Sequence, residues 1–323
     1  MTNSGSGIAT VLLAGCMCGQ GALAAQPYPY KPIRFVVGFQ PGGGVDLSAR
    51  TVAQPLAAAL GQSVVVDNKA GAAGNLAAGF VAKSAADGYT LLMSNSTIST
   101  PGLFRNLSFD VRKDLDPVAL VAIGPSVLVV HSAVAAGNVK ELIALAKAKP
   151  GLLLYGSGGV GNVTHLEMEL LNAMTGTRMV HVPYKGSAPS IIALLAAEVQ
   201  MVFCSVPSAL AQIKAGKLRA IGVSTLKRSS VLPEVPTISE SGVPGFDAAS
   251  WYGVFAPAGT PRAVVATLGR EIARIVAAPE VNERFAGDGF EPAGRGPAEF
   301  KGFLDKELVK WTKAIEVAGI KPE

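Results

Sequence analysis

Charge is scarce in this chain, and where it occurs it is scattered. Asp, Glu, Lys and Arg make up 16% of the 323 residues, and no basic run is denser than Lys227-Arg228. A nucleic-acid track needs clustered cations, so nucleic acid is not an expected partner. Histidine is limited to His131, His165 and His181. None has a zinc-site spacing and there is no His-Glu-x-x-His, so no metal ligand is assigned. The Gly-x-Ser-x-Gly of a serine hydrolase is missing, as is a phosphate loop ending in Gly-Lys-Ser/Thr. No pair of carboxylates occupies comparable loops, so no catalytic residue is assigned either. Cysteine is limited to Cys16, Cys18 and Cys204.

Residues 1–26 hold no charged residue at all. Residues 8–17 are apolar and Ala22-Leu23-Ala24-Ala25 offers small residues for cleavage, so residues 1–25 read as a secretory signal. The positive n-region is lacking, since the first basic residue is Lys31; an upstream start would supply it. Gly19, Gln20 and Gly21 cut the apolar run short of the ~20 residues a membrane span needs. Leu13-Ala14-Gly15-Cys16 also fits a lipoprotein cleavage box, the alternative to a free exported protein. Cleavage near Ala25 would leave Cys204 alone, so no disulfide within the chain is expected and the core must carry the fold.

What is abundant is apolar residues, at 49%, and glycine, at 37 residues spread along the chain. That composition suits a well-buried globular protein of two α/β domains. A net charge of +5 mildly favours attraction of a small anion. The organising stretch is residues 33–46. Residues 33–39 read as a buried strand. Gly42, Gly43 and Gly44 stop it, and Asp46 is placed to cap a helix over 47–60. A strand, a glycine loop and a helix present free backbone N–H groups to an anion.

The plan repeats. A strand over 63–67 leads to a small-residue loop at 68–75, and a strand over 89–93 leads to a polar loop at 94–97. Three strands thus end in loops that can meet at one sheet edge. Residues 117–130 read as a long strand that can cross between domains. Asn138 caps a helix with Glu141 at its third position. A strand over 152–155, a loop over 156–162 and a helix over 163–174 capped by Asn162 open a second domain. Strands over 179–182, 199–204 and 218–224 and a helix over 190–197 complete it. A return strand over 250–255 and two helices finish the chain. The last helix starts at Pro297, puts Phe300, Phe303, Leu304, Leu308, Trp311 and Ile315 on one face, and is ended by Gly319.

Gly156-x-Gly158-x-x-Gly161 has the spacing of a dinucleotide fingerprint. That motif also needs an acidic residue about twenty positions on, and residues 177–182 contain none. No cofactor is therefore expected, and a nucleotide-dependent enzyme stays as the less favoured alternative. Cys204, following an apolar strand, reads as a core or wall residue ahead of a nucleophile. His165 reads as a hydrogen-bond donor at a helix end ahead of a general base. The candidate loops hold donors, not acids and bases, which is the profile of a binder and not of an enzyme.

Seven separated motifs carry a resemblance: residues 27–37 (PYPYKPIRFVV), 41–46 (PGGGVD), 87–92 (DGYTLL), 181–186 (HVPYKG), 207–210 (PSAL), 214–219 (KAGKLR) and 250–257 (SWYGVFAP). Together they resemble the Bug (TctC-type) family, the extracytoplasmic solute-binding proteins of tripartite tricarboxylate transporters. The resemblance implies a periplasmic-binding-protein-like fold: two doubly wound α/β domains joined by two crossover strands, with a ligand cleft between. Domain 1 would combine residues 26–125 with 250–323, and domain 2 would be 126–249. It implies a monomer in the periplasm that captures a small organic carboxylate and hands it to integral-membrane transporter subunits. A module presenting the same ligand to a receptor is the alternative. The implied ligand-binding residues are Phe39, Gly42, Gly43, Gly44 and Asp46; Gly74 and Asn75; Asn95 and Ser96; Ser157, Gly158, Gly161, Asn162 and His165; Tyr184; and Cys204 and Ser205. Two departures matter: Gln40 stands where the family often has Pro, and Cys204 where it often has Asp. The second leaves a neutral wall and makes an amino-acid ligand less expected.

Overall fold

The computed structural model of the protein describes residues 1–2 and 27–318. The expected signal segment, the lipoprotein alternative at Cys16 and the helix stop at Gly319 lie outside the described residues. Among those described, the elements run β1 (Ile33–Val37), α1 (Gly44–Leu60), β2 (Val64–Asn68), α2 (Asn75–Ala82), β3 (Thr90–Asn95), β4 (Leu115–His131), α3 (Val139–Ala148), β5 (Leu154–Ser157), α4 (Val163–Thr175), β6 (Val180–Pro183), α5 (Ser187–Leu195), β7 (Met201–Ser205), α6 (Val206–Lys214), β8 (Leu218–Val223), β9 (Ala249–Pro257), α7 (Arg262–Ala277), α8 (Pro279–Gly287), β10 (Glu291–Arg295) and α9 (Pro297–Ala318).

Two α/β domains share one curled sheet ordered β2-β1-β3-β9-β4-β7-β5-β6, with β8 and β10 also paired to β4. At each end the strands run parallel: β2-β1-β3 at one, β7-β5-β6 at the other. In the middle β4 and β9 run antiparallel. β4 changes partners along its length. Leu115 to Pro125 pair with β9, the last register being Pro125↔Ala249, and Ser126 to Val130 pair with β7. A single 17-residue strand is thus built into both halves, which is why its sequence is an almost unbroken apolar run.

Each half buries a core on both faces of its sheet. In the first, Phe35, Val37, Val52, Leu91 and Ile272 cover one face, and Val36, Leu92, Trp251, Phe255 and Phe300 the other. In the second, Leu128, Tyr155, Leu166 and Phe203 lie on one face, and Val127, Ile191, Val202 and Cys204 on the other. α9 belongs to both. Phe300, Leu304 and Leu308 pack in the first half, and Trp311 and Ile315 pack in the second. Glu307 accepts from both Trp251 Nε1 (3.2 Å) and Trp311 Nε1 (3.1 Å), so one carboxylate ties the strand of one half to the helix end seated in the other.

Local expectations hold at the well-marked caps. Asn138 Oδ1 accepts from Glu141 N, and Glu141 Oε2 accepts from Gly137 N. Asn162 Oδ1 accepts from Thr164 N. One cap is corrected: α1 starts at Gly44, with Gly43 as its cap. Asp46 lies inside the first turn and accepts from Gly42 N at 3.0 Å, reaching back to the loop and not forward to the helix. Past β9 there are three helices and a strand, not two helices alone. The strand, β10, reads Glu-Pro-Ala-Gly-Arg, whose proline and glycine hide it from any periodicity; an edge position tolerates both.

Replacing Trp311 by Ala should remove the domain-bridging end of α9. The expected loss is ~3–5 kcal/mol of folding stability, the range for a buried Trp or Phe cut to Ala, measured by urea unfolding.

Candidate functional site

Four helices start at the same place between the two halves. Gly43, Gly44 and Val45 open α1; Asn162, Val163 and Thr164 open α4; Gly186 and Ser187 open α5; Ser205 caps α6. All of them line one recess, together with Phe39, Asn95, Ser250 and Tyr252. Each helix start carries roughly half a positive charge; at α4 the amides of Asn162, Val163 and Thr164 are taken by Gly159 O, Thr97 Oγ1 and Asn162 Oδ1. None of the lining side chains is an ordinary acid or base at neutral pH. The recess is therefore electropositive through its backbone alone, a setting for a negatively charged group.

The recess encloses about 20 Å³, which is room for about one water molecule. It is this small because the halves touch. Asn162 Nδ2 and Val163 N both donate to Thr97 Oγ1, at 3.1 and 3.3 Å. Thr100 Oγ1 donates to Gly161 O at 3.2 Å, Gln40 N to Lys185 O at 3.2 Å and Ser208 Oγ to Gly42 O at 3.4 Å. These five bonds cross the cleft, so the conformation is closed. Two glycines permit the approach. A Cβ at Gly44 would lie 2.5 Å from the Tyr252 hydroxyl and 3.0 Å from Ser205 Oγ, and one at Gly161, where φ is +71°, would lie 2.3 Å from the Phe104 ring.

Outside Phe39 the cleft widens to about 360 Å³, lined by Gly38, Ala72, Ala73, Phe104, Gly158, Tyr184 and Lys185 among others. Ala72 and Ala73 hold φ of +46° and +52°, conformations that disfavour a side chain and that cluster at sites built for a task.

Of the expected site residues, Phe39, Gly43, Gly44, Asn95, Asn162 and Ser205 line the recess. Gly158 and Tyr184 line the outer opening. Gly74 supports the Phe39 ring, since a Cβ there would be 3.1 Å from it. Asn75 Nδ2 and Ser96 Oγ are buried with no hydrogen-bond partner, each an unmet demand that calls for an explanation. Gly42 and Gly161 act through their backbone, in the bonds already given.

The others are placed behind the wall. Asp46 is buried and bound by Arg50, Gly42 N and Asn68. Burial works to raise its pKa, but these hydrogen bonds outweigh it and hold the carboxyl below its usual value. Cys204 is fully buried in the second core, its thiol 3.8 Å from Val127 O; burial, then the nearby Glu167, push that thiol far up, away from nucleophile chemistry. His165 Nδ1 accepts from Gly161 N at 3.2 Å, and its ring stacks on His181 at 3.9 Å. Ser157 Oγ lies 2.6 Å from His181 Nε2, but Ser157 is fully buried. Burial, and then His165, hold His181 down to about 3, so it is neutral.

Val45, Val163, Thr164, Gly186, Ser187, Ser250 and Tyr252 line the recess without having been singled out. Val45, Gly186, Ser250 and Tyr252 fall within three of the resemblance motifs. The missing signal for Ser187 was its role as the first residue of α5: the sequence placed that helix start three residues too late.

Residues 48–320 match the sequence profile of TctC, described as the tripartite tricarboxylate transporter family receptor. This chain belongs to the TctC family. Among solved structures, Rpa4515 of R. palustris with adipate is 36% identical, with a TM-score of 0.89, covering 92% of this chain and 100% of that one. The periplasmic binding protein BugD is 31% identical, with a TM-score of 0.88 over 92% and 100%. MatC of Rhodopseudomonas palustris with bound malate is 30% identical, with a TM-score of 0.85 over 89% and 100%. TctC proteins are substrate-binding proteins, and this member has their two-domain α/β fold.

Two substitutions test the wall of the recess. Gly44→Ala should cost ~1–3 kcal/mol of stability, because its Cβ would meet the buried Tyr252 hydroxyl of the same half as well as Ser205 across the cleft. It should hold the cleft ajar and weaken capture at least about tenfold, the mark of a steric block worth ~1.4 kcal/mol or more; small-angle scattering and calorimetry check both. Asp46→Asn should cost ~1–3 kcal/mol at neutral pH. Because the folded pKa of Asp46 is depressed, its contribution is complete above the unfolded value. It disappears as pH falls through the folded one, so wild type and variant should converge in acid.

Proposed function

We propose that this protein captures a small organic carboxylate in the periplasm and delivers it to the membrane subunits of a tripartite tricarboxylate-type transporter. The observation that carries the proposal is the convergence of four helix starts on a recess free of ionised side chains. A buried, unpaired carboxylate costs several kcal/mol. A single helix start returns ~0.3–2 kcal/mol and a charge-assisted hydrogen bond ~1.5–3. One loop falls short of that; four starts with the hydroxyls of Thr164, Ser187, Ser205 and Ser250 do not. Adipate and malate in the structures of Rpa4515 and MatC support the ligand class.

In this reading the protein works as a monomer. Domain 1 is residues 26–125 and 250–323 and domain 2 is 126–249, and the hinge lies where β4 and β9 pass between them. The ligand's carboxylate sits against the amides of Gly43 to Val45 and the start of α5, and takes the Val163 amide from Thr97 as it enters. It favours closure around itself, in a recess enlarged from its present size, through contacts available only when both halves meet it. Phe39 stands between this anion site and the wider outer chamber, where the rest of the ligand lies.

Native mass spectrometry of the protein as purified, followed by melting scans against a carboxylate panel, tests the proposal. An acid present at ~100 times its dissociation constant should add ~2.7 kcal/mol of stability. A panel in which no organic acid raises the melting temperature would overturn the ligand class. Pull-down of the membrane subunits in the presence and absence of that acid tests delivery.

A further inference from the structure

Glu167 has no part in the recess, yet it is the most anomalous carboxyl among the described residues. It faces inward from α4, is 0% exposed, and neither of its oxygens has a hydrogen bond of ordinary geometry. An ionised carboxylate so placed would be uncompensated. The hydroxyls of Ser126 and Ser224 lie near enough to ease its charge, and Lys310 acts on it from α9, but burial prevails and pushes its pKa up to about 8. Lys310 is itself paired with Glu307, at 3.8 Å. The other titratable groups packed around it are Cys204 from β7 and Tyr252 from β9, both themselves raised by burial and then by Glu167. Tyr155 of β5 is turned to Glu169, at 2.6 Å, and His165 on the same helix is stacked on His181.

The position matters as much as the burial. Ser126 is the residue at which β4 changes partner from β9 to β7. Its N–H donates to Ser224 Oγ at 2.9 Å, and its hydroxyl lies 3.4 Å from Ser250 Oγ. Ser224 Oγ donates in turn to Ala248 O, beside the start of β9. Three serines therefore knot both crossing strands together, Glu167 lies against the knot, and Ser250 lines the recess on the other side.

We infer that Glu167 is a positioning residue that acts as a neutral carboxylic acid beneath the hinge, and that the cleft closes on its anionic ligand only while this proton is in place. The inference rests on the carboxylate reading of the recess. Ionised, Glu167 would set a second negative charge under the ligand's own and pull the serine hydroxyls toward itself, away from one another and from the recess. Protonated, it needs no counter-charge and leaves the helix starts unopposed. Closure and proton retention become one linked equilibrium.

The test is the pH dependence of adipate and malate binding, by calorimetry, for the wild type and Glu167→Gln. The wild-type dissociation constant should be flat in mild acid and rise toward tenfold per pH unit above about pH 8, as expected when one protonated group is required. Glu167→Gln carries the neutral form permanently and should keep the acid-limb affinity, flat up to about pH 9. Coincident profiles for the two proteins, or a variant that folds and binds weakly at every pH, would overturn the inference. If neither acid binds the wild type at any pH, the ligand class fails instead, and the hinge proton is read without ligand. Difference infrared spectroscopy of the wild type should then show a protonated-carboxyl band at neutral pH that fades in alkali, and its absence at neutral pH would sink the proposal even if Glu167→Gln did not fold.

Discussion

Backbone dipoles, not side-chain charges, set the electrostatics between the two halves of this protein. α1, α4, α5 and α6 all begin at one recess, and the arrangement constrains everything near it. Parallel β-α units at each end of the sheet are required, because only they bring helix starts to the carboxyl ends of the strands. Glycine is required at 44 and 161, where the halves approach most closely. Acids are kept out of the lining: Asp46, in the first turn of α1, is turned away, paired with Arg50 and hydrogen-bonded by Asn68. A guanidinium would bind an anion more strongly in isolation. Amides fixed in helices need no reorganisation and impose a direction of approach.

The second constraint is mechanical. The sheet continues through β4 and β9, so the halves are joined by strands whose pairing is complete and not by a slack linker. α9 adds a third tie, with its first turns in one core and Trp311 in the other. In the closure proposed above, movement between the halves is absorbed near residues 125–126, where β4 changes partner, and 248–250, where β9 begins. The same place holds the serine knot and Glu167.

How much of this could be read in the sequence depends on how local the determinant is. Strands β1, β3 and β4 and the caps at Asn138 and Asn162 announce themselves through apolar runs and side chains that bond within three residues. The glycines ahead of α1 are legible as a break between strand and helix for the same reason. Asp46 was misassigned as a cap because sequence cannot say whether a carboxylate points along its helix or back to the preceding loop. Ser250 and Tyr252 take their role from chain segments distant in sequence, and Ser187 from the true start of α5, neither of which a local pattern marks. Burial separates Cys204 and Ser205, neighbours on β7: one packs into the core and the other faces the recess. Periodicity of two distinguishes the faces, but which face meets the other domain is settled only by the sheet's curl.

A closed recess of about 20 Å³ has a kinetic consequence. No organic acid fits into it as it stands, so arrival waits on opening, and the five bonds across the cleft must be surrendered first. As ligand becomes plentiful, the observed association rate would stop climbing and level at the frequency with which the shut form springs apart. Supply would then be governed less by how much acid surrounds the protein than by how often the empty molecule gapes.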